Sequence, residues 1–290
     1  MPQPQNIIGI VYDFDKTLSP HSMHEDTVLP RLGLNPASFW QETDRLVAET
    51  TYEAELAWMR LLLENEAFRQ LSNQDLRHMG MSLVFYPGVP EVFNELSAVV
   101  DQPRYHEQGV TVEHYIITSG LREIIEGSNI RPYVKSIFGS EFDEDAAGKL
   151  YFPKRAISHT QKTQYLFRVN KGYLDLHKDV NDHVPHEEHR IPFANMVYIG
   201  DGPTDVPCFA VMTQMEGHTM AVYDPDDQNS FNKCMNLRRA DRVEEIAPAN
   251  YQRGTHLWRL LEYRILEIAD AIVERRKGGS EATIIPAPGF

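Results

Sequence analysis

Ile7-Ile8-Gly9-Ile10-Val11-Tyr12-Asp13-Phe14-Asp15-Lys16-Thr17 is the stretch from which the fold is read. Its first six residues are apolar and mostly β-branched, too few for a helix and too continuous for a half-exposed strand. They suit a strand buried on both faces of a sheet. The run stops at two aspartates separated by one residue, so both carboxylates reach the same small volume beyond the strand tip. One of the pair can stay ionised as nucleophile or metal ligand while the other moves a proton. Taken alone, Asp15 reads equally well as the cap of a turn.

Working outward, the same arrangement recurs. A second strand at 112–117 runs into Thr118-Ser119-Gly120, with helical spacing resuming at 121–126. A third at 195–199 runs into Gly200-Asp201-Gly202-Pro203-Thr204-Asp205, and a fourth lies at 219–223. Residues 137–152 alternate around Ala147-Gly148 and suggest a hairpin, and 160–169 read as a helix. Strands alternating with helices predict an α/β fold with a mostly parallel sheet. In such sheets reactive groups gather at the carboxyl ends of the strands, where loops and helix N-termini converge.

Each polar cluster adds something at that edge. Thr118 and Ser119 offer a hydroxyl and backbone N–H groups at an expected helix start, which suits an anion and is also what a simple N-cap looks like. Asp201 and Asp205 bring two more acids between glycines that allow a tight turn. Four carboxylates on one strand edge repel unless a cation neutralises them, and hard oxygen donors suit Mg²⁺. Lys162, near the start of the helix at 160–169, can place a positive charge opposite a phosphoryl group, or be one solvated lysine among several.

Composition narrows the classes. The 290 residues carry 28 Lys plus Arg against 42 Asp plus Glu, a formal charge of −14, which argues against a nucleic-acid partner. No apolar run nears the roughly 18 residues of a membrane span, so no membrane partner is expected. The opening MPQPQN lacks the layout of a secretory signal, and two cysteines make no disulfide framework. A cytoplasmic setting is the expectation.

Taken together, Asp13-Phe14-Asp15-Lys16-Thr17, Thr118, Lys162 and Gly200-Asp201-Gly202-x-Thr204-Asp205 resemble, in order and spacing, the motifs of the haloacid dehalogenase-like hydrolase superfamily, in its phosphatase branch. The resemblance spans about 7–241. It implies a Rossmann-like three-layer α/β/α core with an inserted helical cap, and a Mg²⁺-dependent phosphatase acting on a small phosphorylated metabolite. Asp13 would attack phosphorus to give an aspartyl-phosphate, and Asp15 would protonate the leaving oxygen and then activate water. Mg²⁺ would be held by the Asp13 carboxylate, the Asp15 backbone carbonyl and Asp201, with Asp205 behind them. Thr118 and Lys162, with the N–H groups of Phe14 and Ser119, would bind the phosphoryl oxygens. Asp15 itself favours phosphate chemistry, because dehalogenase members of the superfamily have no acid there. A phosphomutase or phosphotransferase uses the same motifs, and a catalytically silent binding module would keep only the fold.

The expected domains are a core at 1–19 and 87–250, a helical cap at 20–86, a C-terminal helix at 251–277 stopped by Gly278-Gly279, and a tail at 278–290. The cap carries ten acids against five Arg, with Trp40, Tyr52, Trp58 and Phe68. Such a surface suits an amine-bearing leaving group, or is merely a solvated face over an aromatic core. The resemblance is nearest to phosphoserine phosphatases, which place Glu nine residues past the nucleophile where this chain has Ser22. Two inserts, 100–111 and 171–194, lead into the amino ends of strands. The histidines of the second, His177, His183, His186 and His189, read as solvated more readily than as a zinc site. With the C-terminal helix, these inserts are candidates for homo-oligomer contacts.

Overall fold

A computed structural model describes residues 4–283. The quoted apolar run is strand β1 (Ile7–Tyr12), at the centre of a seven-stranded sheet. The others are β2 (Thr111–Leu121), β3 (Ser136–Glu144), β4 (Leu150–Arg155), β5 (Met196–Gly200), β6 (His218–Tyr223) and β7 (Glu245–Pro248). Their order across the sheet is β4-β3-β2-β1-β5-β6-β7, all parallel except the β3–β4 hairpin. The chain is therefore an α/β protein with helices on both faces and a helical insertion between β1 and β2.

Period-two alternation sorts β1 between two cores. Ile8, Ile10 and Tyr12 join a cluster with the insertion and the C-terminal helix, while Val11 faces the helices Lys162–Lys171 and Val206–Gln214. The C-terminal helix, His256–Thr283, buries Leu257, Leu261, Ile265, Ile268, Ile272 and Val273 in the first cluster. The stripe considered for contacts between copies is thus buried in the chain's own core. The helix starts at His256, where the helical spacing begins within the expected segment 251–277, but it runs past the expected stop, through Gly278-Gly279 to Thr283. Two helical glycines cost about 1 kcal/mol each relative to alanine, which weakens a helix without stopping it. Of the expected tail, 284–290 lies outside the described residues. No helix among the described residues is long and apolar enough to cross a membrane.

The insertion is built on two long helices, Pro36–Thr50 and Ala54–Glu64. Asn35 caps the first, accepting from the Ser38 N–H, with Pro36 at its first turn. Their buried faces, Phe39 and Leu46 on one and Trp58, Met59 and Leu62 on the other, close over the sheet end. Phe39, Trp58, Met59 and Leu62 belong to the same apolar cluster as Tyr12 and Phe14. A shorter helix, Asn73–Met79, opens with a reciprocal Ser72–Asp75 capping box and packs against the helix Arg122–Glu126. That approach is backbone to backbone. A Cβ on Gly127 would lie 1.8 Å from the Arg77 carbonyl oxygen, and one on Gly80 2.1 Å from that of Ile124.

The insert 171–194 is irregular apart from short turns, and side chains satisfy its carbonyls. Lys171 Nζ donates to the carbonyls of Val180 and Asp182, and Gln5 to that of His186. Arg190 pairs with Glu113 at 2.6 Å and anchors the end of the segment. The His186 and His189 rings lie 5.3 Å apart, and the histidines form no metal-ligand cluster among the described residues.

Candidate active site

Asp13 follows β1 directly, and its N–H extends the ladder to the Ile199 carbonyl of β5 at 2.8 Å. That bond sets the nucleophile candidate beside the Gly200-Asp201 turn. Lys162, the first residue of its helix and 1% exposed, reaches back across the sheet end. Its Nζ lies 2.9 Å from Asp13 Oδ1 and 2.9 Å from Asp205 Oδ1. Burial alone would favour the neutral amine, but the two carboxylates outweigh it and hold the ammonium well above the ordinary lysine range.

The two acids of the 200–205 turn have different surroundings. Asp205 is fully buried and accepts from four donors: Lys162 Nζ, Tyr198 Oη at 2.7 Å, and the N–H groups of Asp201 and Gly202 at 3.1 and 3.4 Å. Gly200 leaves room for that carboxylate, since a Cβ there would sit 2.3 Å from Asp205 Oδ2. The Asp201 carboxylate accepts no hydrogen bond from any described residue. Burial first, then the charges of Asp205 and Asp13, push it up to about 8. Burial likewise lifts Asp13 to about 6, with Lys162 opposing and Asp205 adding to the rise. Oxygens of Asp13, Asp201 and Asp205 lie within 4.8 Å of one another. A carboxylate without a donor, pressed against two others, is what a hard divalent cation such as Mg²⁺ resolves, so the donor set fits one.

Asp15 faces the same cavity from the other side of Phe14. Its Oδ1 accepts from the Met23 N–H at 2.7 Å, which ties the core loop to the first turn of the insertion. Burial, then the charge of Asp13, raise its carboxyl to about 7. Lys16 beside it has φ +60°, a left-handed conformation that costs a non-glycine residue roughly 1 kcal/mol. Phe14 is buried, and its carbonyl accepts from the Thr17, Leu18 and Ser19 N–H groups, closing the loop on itself.

The second cluster differs from the sequence reading. The strand expected to end at 117 continues through Thr118-Ser119-Gly120 to Leu121, and the helix expected at 121–126 is the five-residue Arg122–Glu126. Between Ile117 and Leu121 the register against β3 shifts, and this irregularity turns Thr118 and Ser119 toward the cavity. Thr118 Oγ1 accepts from the Gly120 N–H at 2.9 Å, and Ser119 Oγ is buried with no partner among the described residues.

These groups line a cavity of about 610 Å³. Asp13, Asp15, Thr118, Ser119, Lys162 and Asp201 meet in it, whereas Asp205 stands behind Lys162 and Phe14 beneath the loop. The wall also holds Lys16, Ser22, Glu25, Trp40, His159, Pro203, Thr204 and Lys233. Sequence reasoning gave Lys16, Glu25, His159 and Lys233 no role of their own. Lys16 sits inside the first motif, but nothing in sequence spacing marks Lys233 or the Tyr198 hydroxyl that supports Asp205.

A family model described as haloacid dehalogenase-like hydrolase matches residues 10–210. An uncharacterized protein of Borreliella burgdorferi is 30% identical over 293 residues, covering 91% of this chain and 99% of its own. Among solved structures, a HAD family hydrolase from Salmonella enterica serovar Typhi superposes with a TM-score of 0.56 at 14% identity, over 86% of this chain and 69% of that one. A substrate-bound phosphoserine phosphatase complex gives 0.55 at 14% identity, over 88% and 97%. At that identity the likeness to these two structures is one of fold.

Proposed function

The chain belongs to the haloacid dehalogenase-like hydrolase family, and from that premise we propose that it is a Mg²⁺-dependent phosphatase of a small phosphomonoester. The observation that carries the reading is the Lys162 ammonium held 2.9 Å from both Asp13 and Asp205, with Asp15 and Asp201 facing the same cavity. This is a charge pattern built to receive a phosphoryl group against a carboxylate.

In the first step an Asp13 oxygen forms the bond to phosphorus as the ester P–O bond breaks. The leaving oxygen takes its proton from Asp15, whose carboxyl, lifted to about 7, holds a proton near neutrality. In the second step water attacks the aspartyl-phosphate, gives its proton to Asp15, and the Asp13 carboxylate departs from inorganic phosphate. Thr118, Ser119 and Lys162 would hold the phosphoryl oxygens, and the partnerless Ser119 hydroxyl is free to donate. Asp13 and Asp201, with the Asp15 carbonyl, would hold Mg²⁺, and Asp205 would keep Lys162 and the 201–202 backbone in place. The bound ion supplies positive charge that offsets repulsion between the carboxylates and the phosphoryl oxygens.

The test is phosphate release from p-nitrophenyl phosphate with Mg²⁺. Asp13→Asn is expected to lower it by at least about 10³-fold with an unchanged circular dichroism spectrum. Near wild-type turnover in that variant would sink the assignment.

A further inference from the structure

Resting on the phosphatase reading, we propose that the substrate's leaving group carries a second anionic group, a carboxylate or phosphate, received by Lys16 and Lys233. Beyond the residues assigned to the phosphoryl group and its cation, the cavity wall holds two lysines and one carboxylate, Glu25. Glu25 is already engaged, its Oε1 accepting from Trp40 Nε1 at 2.7 Å. The other nine acids of the insertion do not line the cavity, so Glu25 is the one carboxylate that the insertion brings to the wall.

The lysines are the reverse case. Of the nine in the chain, Lys135, Lys149, Lys162, Lys171, Lys178 and Lys277 are engaged by a carboxylate, a carbonyl or a ring. Of the three without a hydrogen bond, ion pair or ring contact among the described residues, two are Lys16 and Lys233, and both line this one cavity. Lys16 occupies the left-handed backbone position at φ +60°, where glycine would be unstrained. Lys233, on the helix Gln228–Arg239, precedes Cys234, whose buried Sγ lies 3.5 Å from the Asp201 carbonyl, fixing that turn of helix against the catalytic loop. Two exposed cations that no hydrogen bond ties down, at a concave mouth, attract and orient an anion, although Lys16 also offsets part of the charge of Asp15 and Asp201. His159 adds a further donor to the wall, backed at 3.7 Å by the buried Glu55 of the insertion.

Lys16 stands next to Asp15 and its charge also acts on the catalytic carboxylates, so the test turns on Lys233. Wild-type protein with Mg²⁺ is assayed on matched esters: 2-phosphoglycolate against ethyl phosphate, 3-phosphoglycerate against glycerol 3-phosphate, and phosphocholine as the cationic case. The anionic member of each pair is expected to have kcat/KM about tenfold higher or more, chiefly through KM. Lys233→Glu should collapse that ratio. Equal rates within pairs, a preference for phosphocholine, or a preference that survives Lys233→Glu would overturn the proposal while p-nitrophenyl phosphate turnover keeps the phosphatase reading. No phosphate release from any ester would overturn both.

Discussion

His114 lies on β2 below the site, its ring buried between Tyr12 and Phe93. Nε2 donates to the Phe93 carbonyl at 3.0 Å and Nδ1 accepts from Tyr12 Oη at 3.2 Å, an assignment that uses the neutral ring on both sides. Burial holds its pKa down at about 4, and it does the same to His24 under Trp58. Unfolded, each ring takes up a proton near 6.5, so stability falls as pH drops from 6.5 toward 4, by up to about 3 kcal/mol per ring. Urea midpoints at pH 7.5 and 5 should fall less steeply for His114→Gln than for wild type; parallel slopes would refute the account. Asp205 poses the opposite problem, a buried charge with every partner met. Asp205→Asn keeps its shape but weakens the hold on Lys162 and Tyr198, and should cost about 3 kcal/mol in urea unfolding. At this scale the acids of the site were legible because four of them recur at strand ends in one order and spacing, which turn capping alone does not require. The Tyr198 and Met23 N–H contacts were not, because hydroxyl and backbone donors carry no sequence signature.

Among the elements, β1, β5 and β6 were readable from apolar runs that only a strand buried on both faces requires. Strand β7 was not, because Glu245-Ile246-Ala247-Pro248 is only four residues long and ends in proline at the sheet edge. The hairpin at 137–152 was legible from its alternation, but its first strand also pairs in parallel with β2, which only the assembled sheet reveals. Neither was the junction of Asn73–Met79 with Arg122–Glu126, since two glycines far apart in sequence give no sign that they meet. That junction seats the insertion over the catalytic edge. Gly127→Ala must part the two helices, and about 3 kcal/mol of stability should go with them. Gly148→Ala is the control: its Cβ meets nothing within 4 Å and suffers only the φ of +72°, a cost of about 1 kcal/mol. Similar losses in the two variants, measured by urea denaturation, would mean that the close approach carries no weight.

In the whole molecule, the C-terminal helix covers the face of the sheet that also carries Tyr12 and Val222. Ending the chain at Thr255 would expose that face, so the truncated protein is expected to lose its cooperative thermal transition rather than merely change its mass. A folded, monodisperse truncation with native melting would contradict this. The amphipathic spacing of the helix was plain from the sequence, but whether its stripe met this chain or another was not, because periodicity reports that a face is buried and not by what.

The insertion shares its apolar side chains with the core: Trp58 and Phe68 both pack on Phe142 of the hairpin, at 6.5 and 5.2 Å between ring centres. Lifting it away would strip Phe14, Phe142 and their neighbours of cover in one motion, exposing apolar side chains that had been buried together. The chamber above Asp13 is then a vessel of nearly constant capacity. On the phosphatase reading proposed above, it is expected to act as a sieve, taking phosphate esters of metabolite size and turning away a phosphorylated side chain still embedded in a folded protein.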